Sequence, residues 1–152
     1  MQIRLAESLE DIRTVAPLFD AYRVFYEAPP DPAAAYEFLS ERWRLHESVL
    51  FIAFDGATPV GFVHLYPLFS SVGMRRLWLL NDLFVTAAAR RTGAGRLLMQ
   101  RAEQHARETG AAGLTLSTAV DNAVAQALYT AEGYERDERF FVFNKPFKPG
   151  DL

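Results

Sequence analysis

Leu83-Phe84-Val85-Thr86-Ala87-Ala88-Ala89-Arg90-Arg91-Thr92-Gly93-Ala94-Gly95-Arg96-Leu97-Leu98 decides how this chain is read. An apolar, strand-like run feeds a basic loop with two glycines, and the loop opens a helix. Successive backbone N–H groups over residues 92–96 at a helix N-terminus form a concave anion site, and the helix dipole reinforces it. Between residues 90 and 101 stand Arg90, Arg91, Arg96 and Arg101 with no acidic residue, and guanidinium groups meet phosphate oxygens two at a time. The glycines alone also fit a purely steric need for positive φ at a helix entry. A dinucleotide fingerprint would need a third glycine at position 98, which is Leu98, and a tighter turn after Val85. A Walker loop would need Gly-Lys-Ser/Thr, and none follows.

The rest of the composition narrows the setting. With 152 residues, half of them hydrophobic, the chain can bury a core as one domain over residues 1–152. There is no cysteine, so disulfides, thiolate metal sites and cysteine nucleophiles are excluded. A formal net charge of −3 opposes general nucleic-acid binding. No long apolar run or leader pattern appears, so the expected location is cytoplasmic, with no membrane partner.

Working outward, Ile3 and Leu5 read as a first strand, and Ser8 with Asp11 as a helix start. Ile12, Val15, Leu18, Phe19, Tyr22, Phe25 and Tyr26 then mark one apolar helix face down to Pro29-Pro30. Asp31-Pro32 starts a second helix ending before His46, with Phe38 and Trp43 pointing inward. Residues 48–54 and 60–66 read as a hairpin with a longer loop over residues 55–59, and residues 75–85 as its third antiparallel member. A helix over residues 93–109, lined by Leu97, Leu98, Ala102 and Ala106, ends at Gly110. A short strand over residues 114–117, a helix from Asp121 or Asn122 to Gly133, and a last strand over residues 140–144 complete the reading. The fold class is α/β (α+β): a mixed central sheet, antiparallel in its N-terminal half, flanked by about four helices.

Arg90-x-x-Gly93-x-Gly95 after Leu83-Phe84-Val85 resembles the acyl-coenzyme A motif of the GNAT superfamily of N-acetyltransferases. Asn122-x-x-Ala125-x-x-Leu128-Tyr129-x-x-x-Gly133-Tyr134 is similar to that superfamily's later helix, in the expected order and at the expected distance. The order of elements along nearly the whole chain agrees; Ala87 stands where many members have proline. The resemblance implies direct transfer of an acetyl group from acetyl-coenzyme A to an amine. It places Arg90, Arg91, Thr92, Gly93, Ala94, Gly95 and Arg96 on the pyrophosphate, the main chain of Phe84 and Val85 on the acyl carbonyl and pantetheine, and Asn122 on the pantetheine arm or in positioning the site. Tyr129 would stabilise charge developing on the departing sulfur, and the protein would be a homodimer, as in many relatives.

A lysine-like amine with pKa about 10.4 is about 4.6 kcal/mol from its neutral form at pH 7, so a base or a desolvating site is needed. Many polyamine-type relatives carry Glu-Asp before the Leu-Phe-Val run; this chain has Asn81-Asp82. Asp82 is the candidate base or amine-binding carboxylate, against the alternative of a solvated strand-end charge. In a regular strand Asn81 and Asp82 face opposite ways unless a bulge intervenes. Tyr22, Tyr26, Asn81 and Asp82 are the candidate acceptor-binding residues, although an aromatic stripe at helical spacing also reads as core. The implied acceptor is a small polyamine-like or lysyl amine. A non-catalytic acyl-coenzyme A sensor is the alternative, motivated by Asn81. His46, His64 and His105 show no metal-ligand spacing and read as surface or packed histidines, so no metal is implied.

Overall fold

The computed structural model describes residues 1–151. It divides into two compact units, one over Met1–Ser117 and one beginning at Thr118.

The first unit is a five-stranded sheet in the order β1-β2-β3-β4-β5. The strands are β1 Gln2–Leu5, β2 Val49–Asp55, β3 Thr58–Ser70, β4 Arg75–Val85 and β5 Leu114–Thr115. The first four are antiparallel, and β5 joins β4 in parallel. Helices α1 (Leu9–Phe25) and α2 (Pro32–Arg44) cover one face, and α3 (Ala94–Glu108) covers the other. The face under α1 and α2 carries Leu50, Ile52, Phe54 and Phe62 against Ile12, Val15, Phe19 and Leu39. On the other face Phe51 meets the His105 ring of α3. Because both faces of β2 are covered, it reads as a nearly continuous apolar run rather than an alternation.

The helix signals act as expected. The Ser8 hydroxyl caps α1 by accepting from Asp11 N at 3.1 Å, and Asp31 caps α2 by accepting from Ala34 N at 3.2 Å. Pro17 lies inside α1, where it removes one helical hydrogen bond. It sits on the exposed side, so water can satisfy the carbonyl it leaves. The link between the helices is tied by Asp20, whose buried Oδ1 accepts from Arg23 Nη1 (2.8 Å) and from Asp31 N (3.0 Å).

Several expectations are corrected. The β2–β3 connection is a two-residue turn at Gly56 and Ala57 rather than a longer loop: Asp55 pairs with Thr58, and Gly56 takes the positive φ (60°) that so tight a turn needs. Phe38 is not inward. The buried row of α2 runs through Ala35 and Leu39, leaving Phe38 on the flank, where it stacks on Phe19 and lies under the Arg42 guanidinium. Leu97 is likewise partly exposed, and α3 buries Ala94, Leu98, Met99, Ala102 and Ala106. The strand expected over residues 114–117 is only Leu114–Thr115.

The second unit contains α4 (Ala123–Ala131), started by Asn122, whose side chain accepts from Ala125 N at 3.1 Å, and followed by Gly133 at φ 90°. The strand expected over residues 140–144 is not formed. An apolar run becomes a strand only where another strand offers its hydrogen-bonding edge, and among the described residues this unit contains no other strand.

Candidate active site

The loop after β4 folds as its sequence suggests. Ala87–Ala89 make one 3-10 turn, Thr92 Oγ1 donates to the Ala89 carbonyl, and Arg91 (φ 65°) and Gly93 (φ 87°) both adopt left-handed backbone. Gly93 is the N-cap of α3. The first helical bond runs from Leu97 N to Gly93 O (3.0 Å), so the N–H groups of Ala94, Gly95 and Arg96 precede the helical ladder and point out of its end. Arg90 stacks its guanidinium over the Phe25 ring at 5.8 Å. Among the described residues neither Arg90 nor Arg91 pairs with a carboxylate. The loop thus fits an anionic group: oriented N–H donors, the positive end of a helix of about four turns, and two arginines not neutralised by neighbours.

β4 leads into this loop with one edge open. Its parallel partner β5 pairs only at Trp78↔Leu114 and Leu79↔Thr115. Beyond Leu79, therefore, the β5 side of β4 has no strand beside it among the described residues. Thr86 N donates to Val60 O at 2.8 Å; by the two-residue alternation of an antiparallel ladder, Phe84 turns its main-chain groups toward β3 and Val85 turns its own toward the open edge. Of the two residues, Val85 has main-chain groups free to meet a ligand.

The second half of the site is made by a β-bulge. Asp82 pairs with His64, yet the next pair along is Leu80 with Leu65, which leaves Asn81 as the extra residue. Without it Asp82 would follow Trp78 and Leu80 onto the α3 face. The bulge instead turns Asp82 to the face of α1 and α2, beside Phe62, His64 and Tyr66. Asp82 is 6% exposed. Its Oδ2 lies 3.0 Å from His64 Nδ1, and its Oδ1 accepts from Asn81 Nδ2 at 3.0 Å. Asp82 is therefore no solvated strand-end charge. Two partners occupy two of about four acceptor positions on the carboxylate, leaving capacity for an amine or a bridging water.

The surroundings are aromatic. The His64 ring lies 4.7 Å from Tyr66 and 6.3 Å from Phe19 between centroids. Burial, reinforced by the negative charge of Asp82 and opposed by Arg42, pushes the Tyr66 phenol up to about 12, so it remains a neutral hydroxyl at any working pH. Tyr22 packs on Phe62 and Phe84 and belongs to the core margin. Tyr26, edge-on to Tyr22 at 5.0 Å, stays exposed with Phe25 at the end of α1. In the second unit Tyr129 stands on α4 with its ring 6.1 Å from that of Tyr134, and Asn122 uses its Oδ1 as the helix cap.

Sequence reasoning missed His64 and Tyr66. His64 is indeed a packed histidine, but its pairing with Asp82 depends on the β3–β4 register and on the bulge, neither of which leaves a local signal. Among the described residues no cluster of three or more His, Asp or Glu side chains is placed to hold a metal. Among the described residues no helix is long and apolar enough to cross a membrane.

A solved structure described as that of a "probable acetyltransferase" superposes with a TM-score of 0.91 at 41% identity, covering 97% of this chain and 99% of that one. Fold and sequence together make the chain an acetyltransferase. More narrowly, residues 15–134 match the acetyltransferase (GNAT) family, and the chain belongs to it. The "Uncharacterized N-acetyltransferase YhfO" of Bacillus subtilis (strain 168) is 45% identical over 150 residues, 97% of this chain and all of that protein. The D-amino-acid N-acetyltransferase HPA3 of Saccharomyces cerevisiae is 34% identical over 95 residues, 61% of this chain and 59% of that protein.

Proposed function

We propose that this acetyltransferase moves the acetyl group of acetyl-coenzyme A directly to a primary amine, either a small polyamine-like amine or a lysyl side chain. The observation that carries this reading is the open edge of β4, which runs without interruption into the loop at residues 90–96. Acetyl-coenzyme A supplies the thioester; the chain supplies its placement. Arg90, Arg91, Thr92 and the N–H groups from Gly93 to Arg96 hold the pyrophosphate, and the main chain of Val85, with Phe84 beside it, holds the acyl end. Asn122 steadies the pantetheine arm, and Tyr129 donates a hydrogen bond where charge develops on sulfur. Its phenol has a reference pKa near 10 against about 8.5 for a thiol, so that hydrogen bond contributes more than an early complete proton transfer would.

On the acceptor side Asp82 takes the proton that the ammonium must lose, directly or through one water. Asn81 holds the carboxylate from outside, and Tyr22 and Tyr26 present aromatic surface suited to a cationic amine. In this reading residues 1–152 act as one acyltransferase domain, in the cytoplasm and as a homodimer. The net charge of −3 agrees with a cationic acceptor, and the name of the yeast relative gives an amino group on a small molecule as one acceptor within reach of such chains.

Coenzyme A release should rise above the no-acceptor rate with at least one member of a panel of polyamines, amino acids, aminoglycosides and lysyl peptides. Tight acetyl-coenzyme A binding with no turnover on any of them would sink the proposal. Reversing charge at the loop tests the donor half separately. Arg90→Glu combined with Arg91→Glu should weaken coenzyme A binding about 10- to 100-fold in calorimetry at low salt, and the deficit should shrink as ionic strength rises. An unchanged affinity would remove the pyrophosphate from this loop.

A further inference from the structure

His64 has no exposed surface, and its Nε2 has no hydrogen-bond partner among the described residues. Packing gives no reason for an imidazole here. A buried nitrogen left without a partner costs about 1–3 kcal/mol, whereas a phenyl or isobutyl group could fill the same apolar surroundings at no such cost. What the ring does have is one interaction: Nδ1 at 3.0 Å from Asp82 Oδ2. Two bare acceptors would repel at that distance, so beside an ionised Asp82 the proton sits on Nδ1 and Nε2 carries the lone pair.

We propose that His64 is the positioning residue of the transfer reaction: its Nδ1–H holds Asp82 by Oδ2, opposite the Asn81 amide on Oδ1, and so fixes the carboxylate whose Oδ1 receives the acceptor's proton on its remaining lone pair. This rests on the reading of Asp82 as the base. The step balances simply. An N–H bond of the ammonium breaks, its electron pair stays on nitrogen as the nucleophile, and an O–H bond forms at Oδ1. The proton later leaves Asp82 for solvent and restores the carboxylate. The groups around the ring leave this role to His64. β4 contributes Asp82 and Asn81, and β3 contributes Tyr66, which stays neutral. α2 contributes Arg42, which acts on Tyr66; β2 contributes the uncharged partner Leu50. α1 contributes the Phe19 ring, with its buried Asp20 already tied to Arg23.

The test combines two variants with a spectroscopic readout on the acetyl-coenzyme A-free enzyme. His64→Phe keeps a packed ring without nitrogen, and His64→Asn keeps a side-chain donor near the Nδ1 position. The Phe variant should lose at least about tenfold in kcat while KM for acetyl-coenzyme A holds. The Asn variant should recover most of that loss. In wild-type enzyme, imidazole nitrogen NMR should show His64 as the Nδ1–H tautomer, and Asp82→Asn should perturb that signal. A Phe variant that is folded and has wild-type kcat, or a wild-type ring in the Nε2–H tautomer, overturns the inference. Should both variants misfold, the tautomer decides alone. If Asp82→Asn is fully active, the base assignment fails first, which separates the two failures.

Discussion

Asp82→Asn should lower kcat/KM for amine acetylation at pH 7 by about 10²- to 10³-fold, within the range that a positioned general base contributes. Coenzyme A affinity should be unchanged, because the donor loop begins beyond the end of β4. The amide keeps the shape of the carboxylate; its oxygen can still accept from Asn81 Nδ2, and its NH2 can donate to His64 Nδ1 once that ring carries its proton on Nε2, so the fold should survive. What it cannot do is take a proton. The variant then depends on amine already neutral in solution, a fraction of about 10⁻³·⁴ for a lysine-like acceptor at pH 7. That fraction grows about tenfold for each pH unit below the amine's pKa, and the sign of the pH effect follows. The deficit should be largest at low pH and should close as pH rises toward 10, so the variant's profile should be steeper than that of the wild type. Tyr66, held neutral up to about 12, adds no charge change in that window. Steady-state rates from pH 6 to 10 on both proteins check this. A deficit constant across the range would mean that Asp82 binds the acceptor without receiving its proton.

The contrast between the two halves of the site shows what a sequence carries. The donor half is local: a strand end, two arginines, a glycine that must adopt positive φ and a helix start are neighbours in the chain, and each is a short-range preference. Gly93 as the αL cap and Asn122 as the N-cap were legible for that reason. The acceptor half is not local. His64 and Asp82 stand 18 positions apart, and they meet only because the β3–β4 hairpin takes one register and Asn81 bulges out of it. The same rule governs the errors. Phe38 and Leu97 lie one helical position, about 100° of rotation, from the buried Leu39 and Leu98, and apolar character alone does not separate such neighbours. The run Phe140-Phe141-Val142-Phe143 has strand composition, but composition does not provide the neighbouring edge that a strand requires.

Gly61→Ala should destabilise the enzyme by about 2 kcal/mol, the cost of forcing a methyl group into a full space. Gly61 has no unusual φ to protect; its requirement is room. A Cβ there would stand 2.7 Å from the Phe84 carbonyl oxygen and 3.3 Å from both Leu98 Cδ1 and Val85 Cγ2. The carbonyl belongs to the partner strand, so the contact cannot be relieved by a side-chain rotation. Strand β4 must move away from β3 at its last residues, or β3 must bend. For a chain of this length that loss corresponds to a drop in Tm of about 4–8 °C. Gly56→Ala is the natural control, because its Cβ would meet nothing within 4 Å and its cost of about 1 kcal/mol comes from φ alone. The two glycines should also differ in function. Gly61 pairs with Val85, whose main chain borders the open edge, so Gly61→Ala should raise KM for acetyl-coenzyme A several-fold even at temperatures where the variant is fully folded, while Gly56→Ala should leave it unchanged. Thermal unfolding and donor KM measured on both variants check the pair. A Gly61→Ala enzyme with wild-type Tm and KM would show that the spacing of β3 and β4 beneath the loop is not set at this residue.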